Sequence, residues 1–313
     1  MDSGHEIVLI ITSKASPEYL IDENDYKLFA QKYNIPFRCT SRISETVDII
    51  KECKGEIGVS MNWPGIIKED VIGLFPKGIL NSHPGDLPRY RGNACPNWAI
   101  INHEKRVALT IHFMESGVLD SGDILVKEYY DLGRETTIGD VYSWLEQVIP
   151  TAFKQAVEGI ETCSISPKSQ NDLGLKPLRA FPRIPQDSFI DWNQDAATVD
   201  MIIRSSSYPF IGAYTYWKRK KLYILESGYR EYPFDVLSCP GQVTSIDREN
   251  GTVGVATAKG ELIIKKVRYD DATICPTEII TSMRSRLGMN VEEEIENIWQ
   301  ELQMLRSSKC ENQ

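Results

Sequence analysis

The first 83 residues alternate short apolar runs with helix-compatible stretches, and that alternation restricts the fold more than any other feature. Ile7-Val-Leu-Ile-Ile-Thr12 is a continuous, largely β-branched run of the kind that is buried on both faces of a parallel sheet. Residues 24–33 read as a helix that stops before Ile35-Pro36. Residues 37–40 read as a short strand and 44–53 as a helix begun at Ser44. Residues 57–61 and 78–83 supply a third and a fourth strand. Strand–helix alternation predicts an α/β layer with parallel pairing and right-handed crossovers, whose ligands sit beyond the C-terminal strand ends. The first run is not followed by Gly-x-Gly-x-x-Gly, which argues against a dinucleotide cofactor.

Further along, residues 95–103 read as a helix, 107–114 and 124–131 as strands, and Thr136 or Thr137 as the cap of a long helix kinked at Pro150 and ending near 159. We expect a first domain over 1–163, a Ser-, Pro-, Asn- and Lys-rich linker over 164–186, and a second domain over 187–313. Five short β-like runs between 210 and 267, separated by Gly-containing turns, predict a small barrel or open sheet. In the tail, Asn290 and Glu293 form a capping pair. Val291, Ile295, Ile298, Leu302 and Leu305 then recur at alternating four- and three-residue steps. Two heptads favour packing against the tail's own domain, with a homodimer contact as the alternative.

The fourth run carries the chemistry. Asn81 and His83 lie two positions apart, so a strand points both to one side, just before the chain breaks at Pro84-Gly85 and Pro88. An imidazole titrates near neutrality, and an amide can hydrogen-bond a developing oxyanion without changing charge. Asp120, in a loop after a later strand, supplies a carboxylate able to orient the imidazole. Each residue also has a purely structural reading: Asn81 as a turn cap, His83 as a strand-end histidine bonded to backbone, Asp120 as an Asx-turn residue before Ser121-Gly122. His112 sits inside an alternating strand and reads as packed or solvated.

Asn81-Ser-His-Pro-Gly-Asp-Leu-Pro-Arg-Tyr-Arg-Gly92, followed by the Asp120-Ser-Gly loop, resembles the folate-dependent formyltransferase family. The resemblance runs from about Glu6 to Leu132 and resumes at Asp187-Ser-Phe-Ile-Asp-Trp192. It implies an α/β, Rossmann-like parallel-sheet catalytic domain followed by a smaller, β-rich OB-like domain. It also implies an enzyme in which Asn81, His83 and Asp120 are catalytic and 10-formyltetrahydrofolate is the co-substrate, with no metal required. Whether His83 acts as a general base or as a protonated stabiliser stays open. The folate would meet Met61, Asn62, Trp63, Pro64, Ile79, Leu80, Arg91, Val118 and Asp123, largely through backbone groups, and Asp123 has a buttressing role as its alternative. Arg204 and Tyr208 would contact the acceptor, unless Arg204 instead bridges to Asp187 or Asp191.

Bulk properties narrow the acceptor. The 313 residues carry a formal charge of −9, which argues against a broad nucleic-acid surface. The seven cysteines are scattered without paired spacing, which argues for reduced thiols in a cytoplasmic protein and against a zinc site. No apolar run reaches membrane-spanning length. Within the family, the resemblance implies that tRNA-formylating members carry a basic insertion after the second strand. Here Phe37-Arg-Cys-Thr-Ser-Arg-Ile-Ser44 is short. The Lys218-Arg-Lys-Lys221 cluster reads as a solvated hairpin turn. The expectation is therefore a sugar-nucleotide N-formyltransferase of cell-surface glycan synthesis, with folate and a sugar nucleotide as its small-molecule partners. A methionyl-tRNA formyltransferase and a non-catalytic folate-binding protein are the alternatives.

Overall fold

A computed structural model describes residues 4–15, 21–234, 236–289 and 291–310, with side chains through Met304. The chain divides into two units, Met1–Arg183 and Ile184–Gln313.

In unit 1, β1 (Ile10–Thr12) pairs in parallel with β2 (Phe37–Cys39) across α1 (Glu23–Lys32). The expected strand 7–12 shortens to its last three residues, the only ones that find a partner. Helix α1 starts where Asp22 and Asp25 form a reciprocal capping box, with the Asp22 carboxylate accepting the Asn24 and Asp25 N–H groups. A 3-10 turn (Ile43–Thr46), not a Ser44 cap, opens α2 (Val47–Cys53). Next come β3 (Gly58–Met61), the single turn α3 (Glu69–Ile72) and β4 (Ile79–His83), which lies parallel to β3. Ile50, Ile67, Val71 and Ile79 form a core beneath this pair.

Past β4 the direction changes. After β5 (Arg91–Gly92) and α4 (Cys95–Ile101), β6 (Arg106–Phe113) runs antiparallel to β4, and β7 (Ile124–Asp131) antiparallel to β6. The sheet order is β3-β4-β6-β7. Parallel pairing thus holds for the strands joined by helical crossovers in the first half. The 114–123 loop returns directly to the sheet and gives an antiparallel neighbour. Helix α5 (Ile138–Glu161), capped by Thr137 and Asp140, buries Ile138, Val141, Leu145, Ala152, Ala156 and Gly159 at three-, four- and seven-residue steps. It continues through Pro150 as one element, held by buried residues on both sides of the proline.

Residues 164–183 correct the linker expectation, because they fold with unit 1. Lys168 exchanges two backbone hydrogen bonds with Ile124, each 2.9 Å, and β8 (Arg179–Ala180) pairs with β5. Pairing of this kind depends on distant partners and leaves no trace in a Ser- and Pro-rich composition.

Unit 2 is the smaller, β-rich one. Helix α6 (Ala196–Ser205) covers an antiparallel sheet of β9 (Ala213–Trp217), β10 (Lys220–Arg230), β11 (Val243–Asp247), β12 (Thr252–Ala256), β13 (Glu261–Tyr269) and β14 (Ala272–Ile274). The order is β11-β12-β13-β10-β9, with β14 on β13. Register shifts around Glu226 bend the long β10 so that it can serve both β9 and β13. Helix α7 (Val291–Cys310) meets its own domain through Glu294, which pairs with Arg219, but the expected apolar packing is not made: Val291, Ile295, Ile298 and Leu302 remain 44–60% exposed. The expected Asn290 cap and the Leu305 side chain lie outside the described residues. Among the described residues no helix is long and apolar enough to cross a membrane.

Candidate active site

The site grows out of β4. Ile79 and Leu80 are buried in the core, and the strand then presents Asn81 and His83 on one side. Antiparallel β6 sets His112 directly opposite Asn81 and Thr110 opposite His83, so a second imidazole joins the first two side chains. The 114–123 loop folds back over them. Gly122 is pressed against β6 so closely that a Cβ there would lie 2.0 Å from the Phe113 carbonyl oxygen. Asp120 takes a left-handed conformation, with φ of 52°.

This turn delivers the Asp120 carboxylate between the two rings. Its Oδ2 lies 3.6 Å from His83 Nδ1 and accepts the Gly92 backbone N–H at 2.8 Å; its Oδ1 lies 3.7 Å from His112 Nε2. Below, His83 Nε2 donates to the Tyr90 carbonyl at 2.6 Å, a bond for which Gly85 leaves room. A Cβ on Gly85 would fall 2.4 Å from both atoms. The Cys95 thiol donates to the same carbonyl at 2.9 Å. Burial, then the Asp120 carboxylate, push that thiol's pKa up to about 12.

Partners define both tautomers. A carbonyl can only accept, so His83 carries its hydrogen on Nε2 and can gain a proton only at Nδ1, on the Asp120 side. His112 Nδ1 donates to the Phe113 carbonyl at 2.7 Å, which leaves Nε2 to accept an amide hydrogen from Asn81 at 3.2 Å. Burial, then the neighbouring His83, hold the pKa of His112 down to about 4. Between that value and the ordinary histidine range the unfolded chain binds a proton that the folded one refuses, so stability falls as pH drops through this window. His112→Gln should therefore flatten the loss of urea resistance between pH 6.5 and 4; pH curves parallel to those of the parent would refute this.

The remaining expected residues divide. Met61 lies opposite Ser82 in the β3–β4 register, which brings the 61–64 stretch to the Asn81–His83 end of the sheet. Met61 and Val118 are exposed, and Val118 shares a loop with Asp120. Trp63 packs against the core under β3 and β4, and Asn62 has φ of 52°. The backbone carbonyl of Asp123 accepts from Phe113, and that of Ile79 from Met114. Arg91 turns its guanidinium onto Gln170. In unit 2, Arg204 is buried and pairs at 2.8 Å with Asp200, one helical turn away. Tyr208 is 72% exposed.

Three contributors escaped the sequence reading. His112 depends on which strand pairs with β4, and Cys95 on the loop closing over the Tyr90 carbonyl. Gln170 is only 3% exposed, and it donates to the Asp120 and Gly122 carbonyls at 2.8 Å each from the stretch that reads as linker. Among the described residues no group of three or more His, Cys, Asp or Glu side chains could hold a metal ion.

Comparison with known proteins agrees with this layout. Residues 1–157 match the family described as Formyl transferase, and residues 184–283 match Formyl transferase, C-terminal domain. Methionyl-tRNA formyltransferase of Clostridium botulinum is 30% identical over 273 residues, covering 85% of each chain. That of Alkaliphilus oremlandii is 29% identical over 275 residues, covering 86% of each. Among solved structures, WlaRD, a sugar 3N-formyl transferase solved in the presence of dTDP and 5-N-formyl-THF, shares the fold with a TM-score of 0.59. It is 19% identical and covers 82% of this chain and 86% of its own.

Proposed function

The chain belongs to the formyl transferase family, and from that premise we propose that it moves the formyl group of 10-formyltetrahydrofolate to the amine of a nucleotide-linked amino sugar, such as a dTDP-4-amino-4,6-dideoxyhexose. One observation carries the chemistry. Asn81 uses one amide hydrogen on His112, and the second has no protein partner among the described residues, on a side chain that is only half-buried. A donor held in place by a neutral histidine suits a formyl oxygen that gains negative charge, and such a donor contributes about 3 kcal/mol to transition-state stabilisation.

The folate co-substrate supplies an activated one-carbon carbonyl. His83 takes the proton shed by the attacking amine at Nδ1, since Nε2–H stays on the Tyr90 carbonyl. Asp120 steadies the imidazolium so formed at 3.6 Å; as the new bond from the amine nitrogen to the formyl carbon replaces the bond from that carbon to the folate nitrogen, the imidazolium returns its proton to the departing nitrogen. The exposed Met61 and Val118 provide apolar surface for a pterin at the same end of β3 and β4.

Loop length and charge support this acceptor. Only Thr40, Ser41 and Arg42 separate β2 from the next helical turn, leaving no room for the basic insertion of tRNA-formylating members. In the 218–221 cluster, Arg219 pairs with Glu294 at 2.8 Å, Lys220 with Asp270 at 2.9 Å, and Lys221 lies over the Tyr214 ring. Carboxylates thus offset two of the four cations, which weakens the cluster as a phosphate-binding surface. The relatives' names favour a second reading, formylation of methionyl-tRNA. The purified protein should release tetrahydrofolate from 10-formyltetrahydrofolate with a member of a dTDP- and UDP-amino-sugar panel and not with methionyl-tRNA. Release with the charged tRNA alone would reverse the assignment.

A further inference from the structure

We propose that Gln170 is a positioning residue for Asp120, clamping the turn that carries the carboxylate to the loop that supplies its hydrogen-bond donor. The inference rests on the catalytic reading of Asp120.

Asp120 stands in a left-handed conformation, which aspartate reaches more readily than most residues with a Cβ. Its turn lies outside the sheet, so the inward carbonyls of Asp120 and Gly122 need donors from elsewhere. The Gln170 carboxamide gives one hydrogen to each, both at 2.8 Å. Its Oε1 accepts from Arg91 Nη2 at 2.6 Å and from Arg91 Nε at 3.2 Å. All four hydrogen-bonding positions of the amide are thereby used, and the orientation follows from the partners alone. Arg91 precedes Gly92, whose N–H holds Asp120 Oδ2 at 2.8 Å. The circuit closes: Gln170 fixes the Asp120 backbone on one side and, through Arg91 and Gly92, the carboxylate on the other. The β5–β8 pairing secures the second side, with Arg91 N–H on the Leu178 carbonyl at 2.8 Å.

Only glutamine meets these demands. Glutamate has the same length and a stronger attraction to Arg91, but it would place an acceptor against two carbonyls. Asparagine is one methylene short. Methionine leaves two carbonyls and a guanidinium without partners. The carboxylate lies 3.6 Å from Nδ1, the one position of His83 that can gain a proton, so a small displacement of its turn costs rate before it costs folding.

The test is a double-mutant cycle in the full-length protein, with 10-formyltetrahydrofolate and whichever acceptor supports turnover. Gln170→Glu should lower kcat about 10- to 100-fold while KM for the acceptor and affinity for tetrahydrofolate stay within about twofold. In the Asp120→Asn background the same change should lower kcat by less than about twofold, because the group it positions is already gone. A merely structural role would lower kcat equally in both backgrounds, and that result, or a Gln170→Glu kcat within twofold of the parent, overturns the proposal. Should the glutamate variant fail to fold, Gln170→Met is read by the same criteria. Where Asp120→Asn turnover is below detection, exchange of the Gly92 amide decides. Gln170→Glu should speed it about tenfold, and unchanged protection overturns the clamp. An Asp120→Asn enzyme with parental kcat would instead remove Asp120 from the chemistry, a distinct failure of the underlying reading.

Discussion

His83→Gln should lower turnover by about 10²- to 10⁴-fold and leave the protein folded. A glutamine amide reaches the position of Nε2 and can donate to the Tyr90 carbonyl, so the loop beneath the ring keeps its anchor. What it lacks is a basic nitrogen facing Asp120. No neighbour substitutes for it. The Cys95 thiol is 3.7 Å from Nε2, but with its pKa pushed up to about 12 it remains protonated and donates to the same carbonyl. His112 is held neutral, and its Nε2 is occupied by Asn81. The loss should therefore fall on kcat, with the affinity for tetrahydrofolate little changed, as measured by steady-state kinetics alongside a binding titration. Turnover within threefold of the parent would take His83 out of the reaction.

Much of this site could be read before any tertiary information. Asn81 and His83 share a side because strands have a period of two, and Pro84-Gly85 ends the strand where Gly85 is needed beneath the ring. Capping at Thr137 and the parallel pairs β1–β2 and β3–β4 follow from local pattern in the same way. The contributions that were hidden are those set by pairing across long separations. His112 acquires its role only because β6 returns antiparallel and in one register. A slip of one residue would turn it to the opposite face. Gln170 stands 79 positions from Arg91 and 50 from Asp120, in a stretch whose composition reads as linker. Local signals place side chains on faces, whereas the polar circuitry behind them is decided by which faces meet.

Asn81 separates the chemical reading from the structural one most sharply. Asn81→Ala should cost about 10²- to 10³-fold in kcat, the usual loss for removing one oxyanion donor. Alone, that result would be ambiguous, because alanine also deprives His112 Nε2 of the amide hydrogen it accepts at 3.2 Å. Asn81→Asp resolves the ambiguity. A capping asparagine tolerates aspartate well, since both accept backbone N–H groups with the same side-chain oxygen. An oxyanion donor does not: the carboxylate would set negative charge where the formyl oxygen gains its own, beside the existing charge of Asp120. The aspartate variant should thus be slower than the alanine variant, although it is closer to asparagine in shape. Aspartate activity near that of the parent would return Asn81 to a structural role, and the proposed route through its unpartnered amide hydrogen would fall with it.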